Sequence, residues 1–228
     1  MKNNKPNLNV LQNMMKKRIL FLVITTFAIL TSNISAQNAK QADAVVDKLL
    51  QTMEREAFSA DFTLEIKDKS MPQPQTATGH LTMKGQKFSL QSDDVSVFFD
   101  GKTQWIYMPN ADEVSITEPD EKEINDINPI AVLRDFKTES TVRYINKTSS
   151  DGVYCIEMVS KDLKSDVEKV ELGLNKANDN IVYINQFNRN GGTMSLRLDN
   201  LKKGIVTSDK MFVFDKSKYP NVEINDLR

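Results

Sequence analysis

One cysteine and one histidine in 228 residues leave little room for several chemistries. Cys155 has no partner for an internal disulfide, and within the strand-like run Val153-Tyr154-Cys155-Ile156 it reads as a small buried apolar residue. A histidine-rich metal site is excluded, because His80 is the only imidazole and no second cysteine replaces the missing ligands. A Ser-His-Asp arrangement would have to use His80, and no Gly-x-Ser-x-Gly elbow accompanies it. Walker, Rossmann and EF-hand patterns are lacking too. Neither a cofactor nor a metal is expected.

Long apolar runs are equally scarce. The stretch Ile19 to Leu30 is too short for a comfortable membrane span, follows Lys16-Lys17-Arg18 and leads into Ile34-Ser35-Ala36. That order is a secretory leader, residues 1–36, with Ala36 at the cut. Cleavage would leave Gln37 first, with no cysteine there to carry a lipid, so a soluble exported protein is expected, in one domain spanning 37–228. Five of the 30 basic residues and none of the 31 acidic ones lie in the leader, so the remainder is net acidic. Nucleic acid is not an expected partner.

Past the leader the periodicity is 3.6 and then two. Ala42, Val45, Val46, Leu49, Leu50 and Met53 recur at helical spacing across 39–57, and Phe58, Ala60, Phe62, Leu64 and Ile66 then alternate with polar residues. Hairpins follow at Lys84-Gly85-Gln86-Lys87 and at Asp100-Gly101, and Pro109 to Asp112 turns the chain into 113–117. Asn128 caps a short helix with Pro129 at its first position, through Phe136. Strand-like runs resume near 141–147, 153–159, 167–174, 181–188, 193–200 and 211–214. About eleven short strands joined by tight turns predict a mainly β (α+β) fold, an antiparallel meander curling into a barrel or half-barrel with a helix in its opening.

Six carboxylates between Asp112 and Glu123 include no pair with a defined geometry, and the segment 118–126 reads as a solvated acidic face or a site for a basic partner. Trp105 and Tyr107 share one strand face, where buried core is the commoner fate than sugar stacking.

The order of these parts resembles the periplasmic lipoprotein carrier, LolA-like, proteins of Gram-negative bacteria. The residues carrying the resemblance are Phe58 to Thr63 after the helix; Gly79-His80-Leu81 with Met83-Lys84 before Phe88; Asp100 to Tyr107; Asn128-Pro129; and Lys210 to Phe214 followed by Tyr219-Pro220 and Val222 to Arg228. The resemblance implies an unclosed antiparallel barrel, with the N-terminal helix and a short lid helix over a concave apolar face. It implies no enzymatic activity, a periplasmic location and a monomer. The implied cargo is the acyl chains of lipoproteins, received from an inner-membrane lipoprotein-releasing transporter and passed to an outer-membrane acceptor. A LolA-like binder or sensor of another lipid is the alternative.

Phe62, Leu64, Phe88, Leu90, Phe98, Trp105 and Tyr107, with Ile130 and Leu133 from the lid, are the lipid-binding residues expected on that reading. Family prototypes carry a lid-closing arginine just after the lysine matching Lys84, and here Gly85 and Gln86 follow it. Lys84 or Lys87 is then the nearest charge that would hold the lid.

Overall fold

The computed structural model describes residues 37–120, 122–124, 128–145 and 152–228. The expected leader, part of the acidic 118–126 segment and the end of the 141–147 run lie outside them. The chain opens with helix α1 over 37–55, which buries Ala42, Val46, Leu49, Leu50 and Met53 on one side. Six strands follow in a meander: β1 (Phe58–Lys67), β2 (Gln75–Lys84), β3 (Lys87–Ser92), β4 (Ser96–Phe99), β5 (Gln104–Met108) and β6 (Glu113–Thr117). Helix α2 (Pro129–Thr138) then carries the chain away. A second meander comprises β7 (Ser140–Ile145), β8 (Val153–Ser160), β9 (Val167–Asn175), β10 (Ile181–Asn188) and β11 (Thr193–Lys203). A last short strand, β12 (Glu223–Asp226), ends the chain.

The two meanders join where β11 pairs antiparallel with β1, giving one sheet in the order β12-β6-β5-β4-β3-β2-β1-β11-β10-β9-β8-β7. The sheet does not close, since β7 and β12 stand at opposite edges. A register shift between Ser59 and Asp61 lies opposite Asn200, whose left-handed φ of 53° accompanies the extra residue on β11. Strand β12 is the exception to the antiparallel rule, pairing parallel with β6.

Where the sequence predicts a strand at 211–214, the chain forms a 3₁₀ turn, Asp209–Phe212, capped by the Ser208 side chain. The alternation there is real, with Met211 and Val213 exposed and Phe212 and Phe214 buried. Every neighbouring strand already has two partners, however, so this segment crosses the outside of the sheet at β3 and β4 instead of joining it. The twelfth strand is β12, which replaces the predicted 211–214 strand.

Burial assigns the two faces. The main core combines α1 and α2 with Phe58, Ala60, Phe62, Leu81, Met83, Phe88, Phe99, Ile156, Leu172 and Leu198 from the inner face of the sheet. On the outer face of β7 to β9, Arg143 donates to Glu157 at 2.6 Å, and Lys169 reaches Glu157 at 3.0 Å and Glu171 at 2.8 Å. Burial works against the Glu157 carboxylate, but its bonds to Arg143 and Lys169 prevail and hold its pKa below the usual value. Cys155 is buried on that face, 2% exposed.

Candidate functional site

Because side chains alternate along a strand, antiparallel register decides which apolar residues meet. Leu64 lies opposite Ala77 on one side and Leu196 on the other, and Leu196 lies opposite Ile184, which pairs with Leu172. One step outward, Ile66 meets Met194, which meets Gln186. Along β1 the inner residues pass from buried Phe58, Ala60 and Phe62 to half-buried Leu64 and Ile66. The apolar face is therefore plugged by the helices at one end and incompletely covered at the other. A cavity of about 480 Å³ opens there, lined by Leu64, Ile66, Ala77, Gln75, Thr76 and Asp94.

Helix α2 is fixed at its start by Asn128, whose Oδ1 accepts from the backbone of Ile130 at 2.9 Å and Ala131 at 3.3 Å. Its inner side buries Ile130 and Leu133 in the main core. Phe136 packs against the same core, and two charges of the helix reach α1. Arg134 pairs with Glu54, and the Lys137 ammonium lies 2.9 Å from Asp43 and 2.7 Å from Asp47. The Lys137 side chain is only 13% exposed. Burial would lower its pKa, but the hydrogen bonds to Asp47 and Asp43 outweigh that, so it is raised above the ordinary lysine value.

These pairs supply a link that Lys84 and Lys87 do not. Both of those lysines turn to Asp209 of the 3₁₀ turn, at 3.6 Å and 3.0 Å. Gly85 adopts φ of +61° in the β2–β3 turn, a conformation that suits glycine and would strain an arginine.

Six of the nine expected lipid-binding residues share this face: Phe62, Leu64, Phe88, Leu90, Ile130 and Leu133 all belong to or pack on the main core. The other three do not. Phe98, Trp105 and Tyr107 face outward, in a second cluster with Val114, Val222, Phe214 and Tyr219. Phe214 and Tyr219 stack at 5.0 Å, and the Tyr107 and Tyr219 rings lie 4.4 Å apart. The expected common face is corrected by register, since Phe88 pairs with Phe99 at a ring separation of 5.7 Å and Phe98 must then point away. Phe99, Met83, Leu81 and Leu196 are inner-face residues that the sequence reading omits. Stepping by two from Phe88 and Leu90 through the β3–β4 register would have found Phe99.

On the outer face, Asp61 accepts from Asn200 Nδ2 at 2.7 Å and lies 2.9 Å from His80 Nδ1. The Asn200 bond first, and His80 second, hold the Asp61 carboxyl below its usual range. The Asp61 and His80 side chains are both half exposed.

Comparison with known proteins agrees with this geometry. The family model described as outer membrane lipoprotein carrier protein LolA matches residues 32–185. Outer-membrane lipoprotein carrier proteins of Shewanella baltica and Shewanella frigidimarina are 29% and 25% identical; the matches cover 94% and 90% of this chain and 98% and 96% of the relatives. Among solved structures, an uncharacterised conserved protein from Thermus thermophilus superposes with a TM-score of 0.53 at 10% identity, covering 82% of this chain and 99% of that one. With a family model matching most of its length and the helix-covered open sheet that the resemblance predicts, this chain belongs to the outer-membrane lipoprotein carrier (LolA) family.

Proposed function

We propose that this protein is a non-enzymatic periplasmic carrier, acting as one domain over 37–228 once the leader at 1–36 is removed. It shields the acyl chains of lipoproteins between an inner-membrane releasing transporter and an outer-membrane acceptor. The observation that carries the proposal is the graded inner face, buried under α1 and α2 at Phe62 and half open at Leu64 and Ile66.

Magnitudes favour a removable cover. Burying Ile130 and Leu133 is worth about 1.5–3 kcal/mol each. The partly exposed Arg134–Glu54 pair adds roughly 0.2–1 kcal/mol. Each acyl methylene withdrawn from water contributes about 0.8 kcal/mol. On the order of ten methylenes therefore offset the loss of α2 from the inner face, and a lipoprotein supplies several times that number. Apolar contacts supply most of what holds the cover, and the α2 charges that reach Asp43, Asp47 and Glu54 of α1 add to it.

Native mass spectrometry of the protein recovered from its own periplasm tests this reading. Co-purifying acylated lipoprotein supports it, and diacyl phospholipid alone would favour a binder of another lipid. Protein free of both, isolated without detergent, would contradict it.

A further inference from the structure

The chain from 202 to 218 differs in charge from the rest of this slightly acidic protein. It carries Lys202, Lys203, Lys210, Lys216 and Lys218 against Asp209 and Asp215 only, within a whole sequence of net charge −1. Asp209 is already held by Lys84 and Lys87 from the β2–β3 turn, which bring two further lysines to the same surface. Lys210, Lys216 and Lys218 form no ion pair with any described carboxylate.

The same segment holds three of the eight large apolar side chains exposed among the described residues: Val206 at 101%, Met211 at 43% and Val213 at 37%. Met211 and Val213 line a cleft of about 410 Å³ together with Lys210, Lys218, Asp215, Phe98 and Tyr219.

From this arrangement we infer that the 202–218 segment docks the protein on an anionic phospholipid surface. Lysines with apolar stems and charged heads, interleaved with single exposed apolar side chains, suit the headgroup boundary of a bilayer. Lys210, Lys216 and Lys218 lie against lipid phosphates while Met211 and Val213 enter the acyl boundary. A protein partner fits less well, because lysine is depleted at protein interfaces. Docking through the outer face leaves the open end of the inner face, at Leu64 and Ile66, unoccupied by the contact.

Flotation of the exported protein, made from its full-length gene, with vesicles of phosphatidylglycerol and phosphatidylcholine, or of phosphatidylcholine alone, tests the assignment. Binding at least tenfold stronger to the anionic vesicles, falling steeply as salt is raised, is expected. The triple variant Lys210→Glu, Lys216→Glu, Lys218→Glu should lose at least tenfold in that binding while melting like the parent protein. Equal binding to both vesicles, as uptake of lipid by the inner cavity alone would produce, overturns the inference. So does anionic-vesicle binding unaffected by salt, or an absence of binding to either vesicle. The salt series on the unaltered protein decides the matter even where the variant fails to fold.

Discussion

At Gly79 the inner face has no room for a methyl group. A Cβ there would lie 2.1 Å from the backbone oxygen of Gln91 and 2.8 Å from the Phe62 ring. The backbone oxygen belongs to a paired strand and cannot swing aside, so Gly79→Ala is expected to destabilise the fold by about 2–3 kcal/mol. Urea unfolding checks this, and a loss under about 0.5 kcal/mol, the size of an ordinary surface change, would show that the ring and strand relax. The glycine is visible in the sequence, but its reason is not, because Phe62 and Gln91 reach it from neighbouring strands. Register likewise hid the facing of Phe98, Trp105 and Tyr107. Phe98 and Phe99 are adjacent and both buried, since the C-terminal segment covers the outer face where polar residues would otherwise mark parity. Without that polar contrast, alternation cannot say which ring points inward.

Helices α1 and α2 were legible because their signals are local: apolar spacing for the first, and an Asn-Pro cap for the second. Their connection was not, because Asp43, Asp47 and Glu54 look like an ordinary solvated helix face until α2 is laid beside them. Lys137 makes that connection titratable. Its pKa is raised in the folded protein, so the stabilisation is complete below the ordinary lysine value of about 10.4 and is lost as pH climbs through the higher folded value. Arginine keeps its charge throughout that range. The melting temperature of Lys137→Arg, compared with the parent at each pH, is therefore expected to rise relative to the parent as pH climbs above the ordinary lysine value, and to keep a constant offset from the parent below it. A difference that stays constant with pH would mean that the contacts of Lys137 with Asp43 and Asp47 contribute nothing to stability.

Over the whole molecule, hairpins and meanders follow from turn residues, and the mainly β class was readable strand by strand. What alternation could not supply is the joint between β1 and β11, which sets Phe62 opposite Leu198 across most of the chain and forms only once both meanders exist. That joint makes one open sheet with a helix-covered inner face and an outer face partly covered by the C-terminal segment. The central claim is that cargo occupies the inner face, from the open end at Leu64, and not the aromatic cluster outside. Titration of a fluorescent triacylated lipopeptide into the protein, Leu64→Glu and Trp105→Ala tests it most directly. Affinity at least tenfold weaker in Leu64→Glu, with Trp105→Ala within twofold of the parent, is the predicted result; affinity unchanged in Leu64→Glu and lost in Trp105→Ala would contradict it.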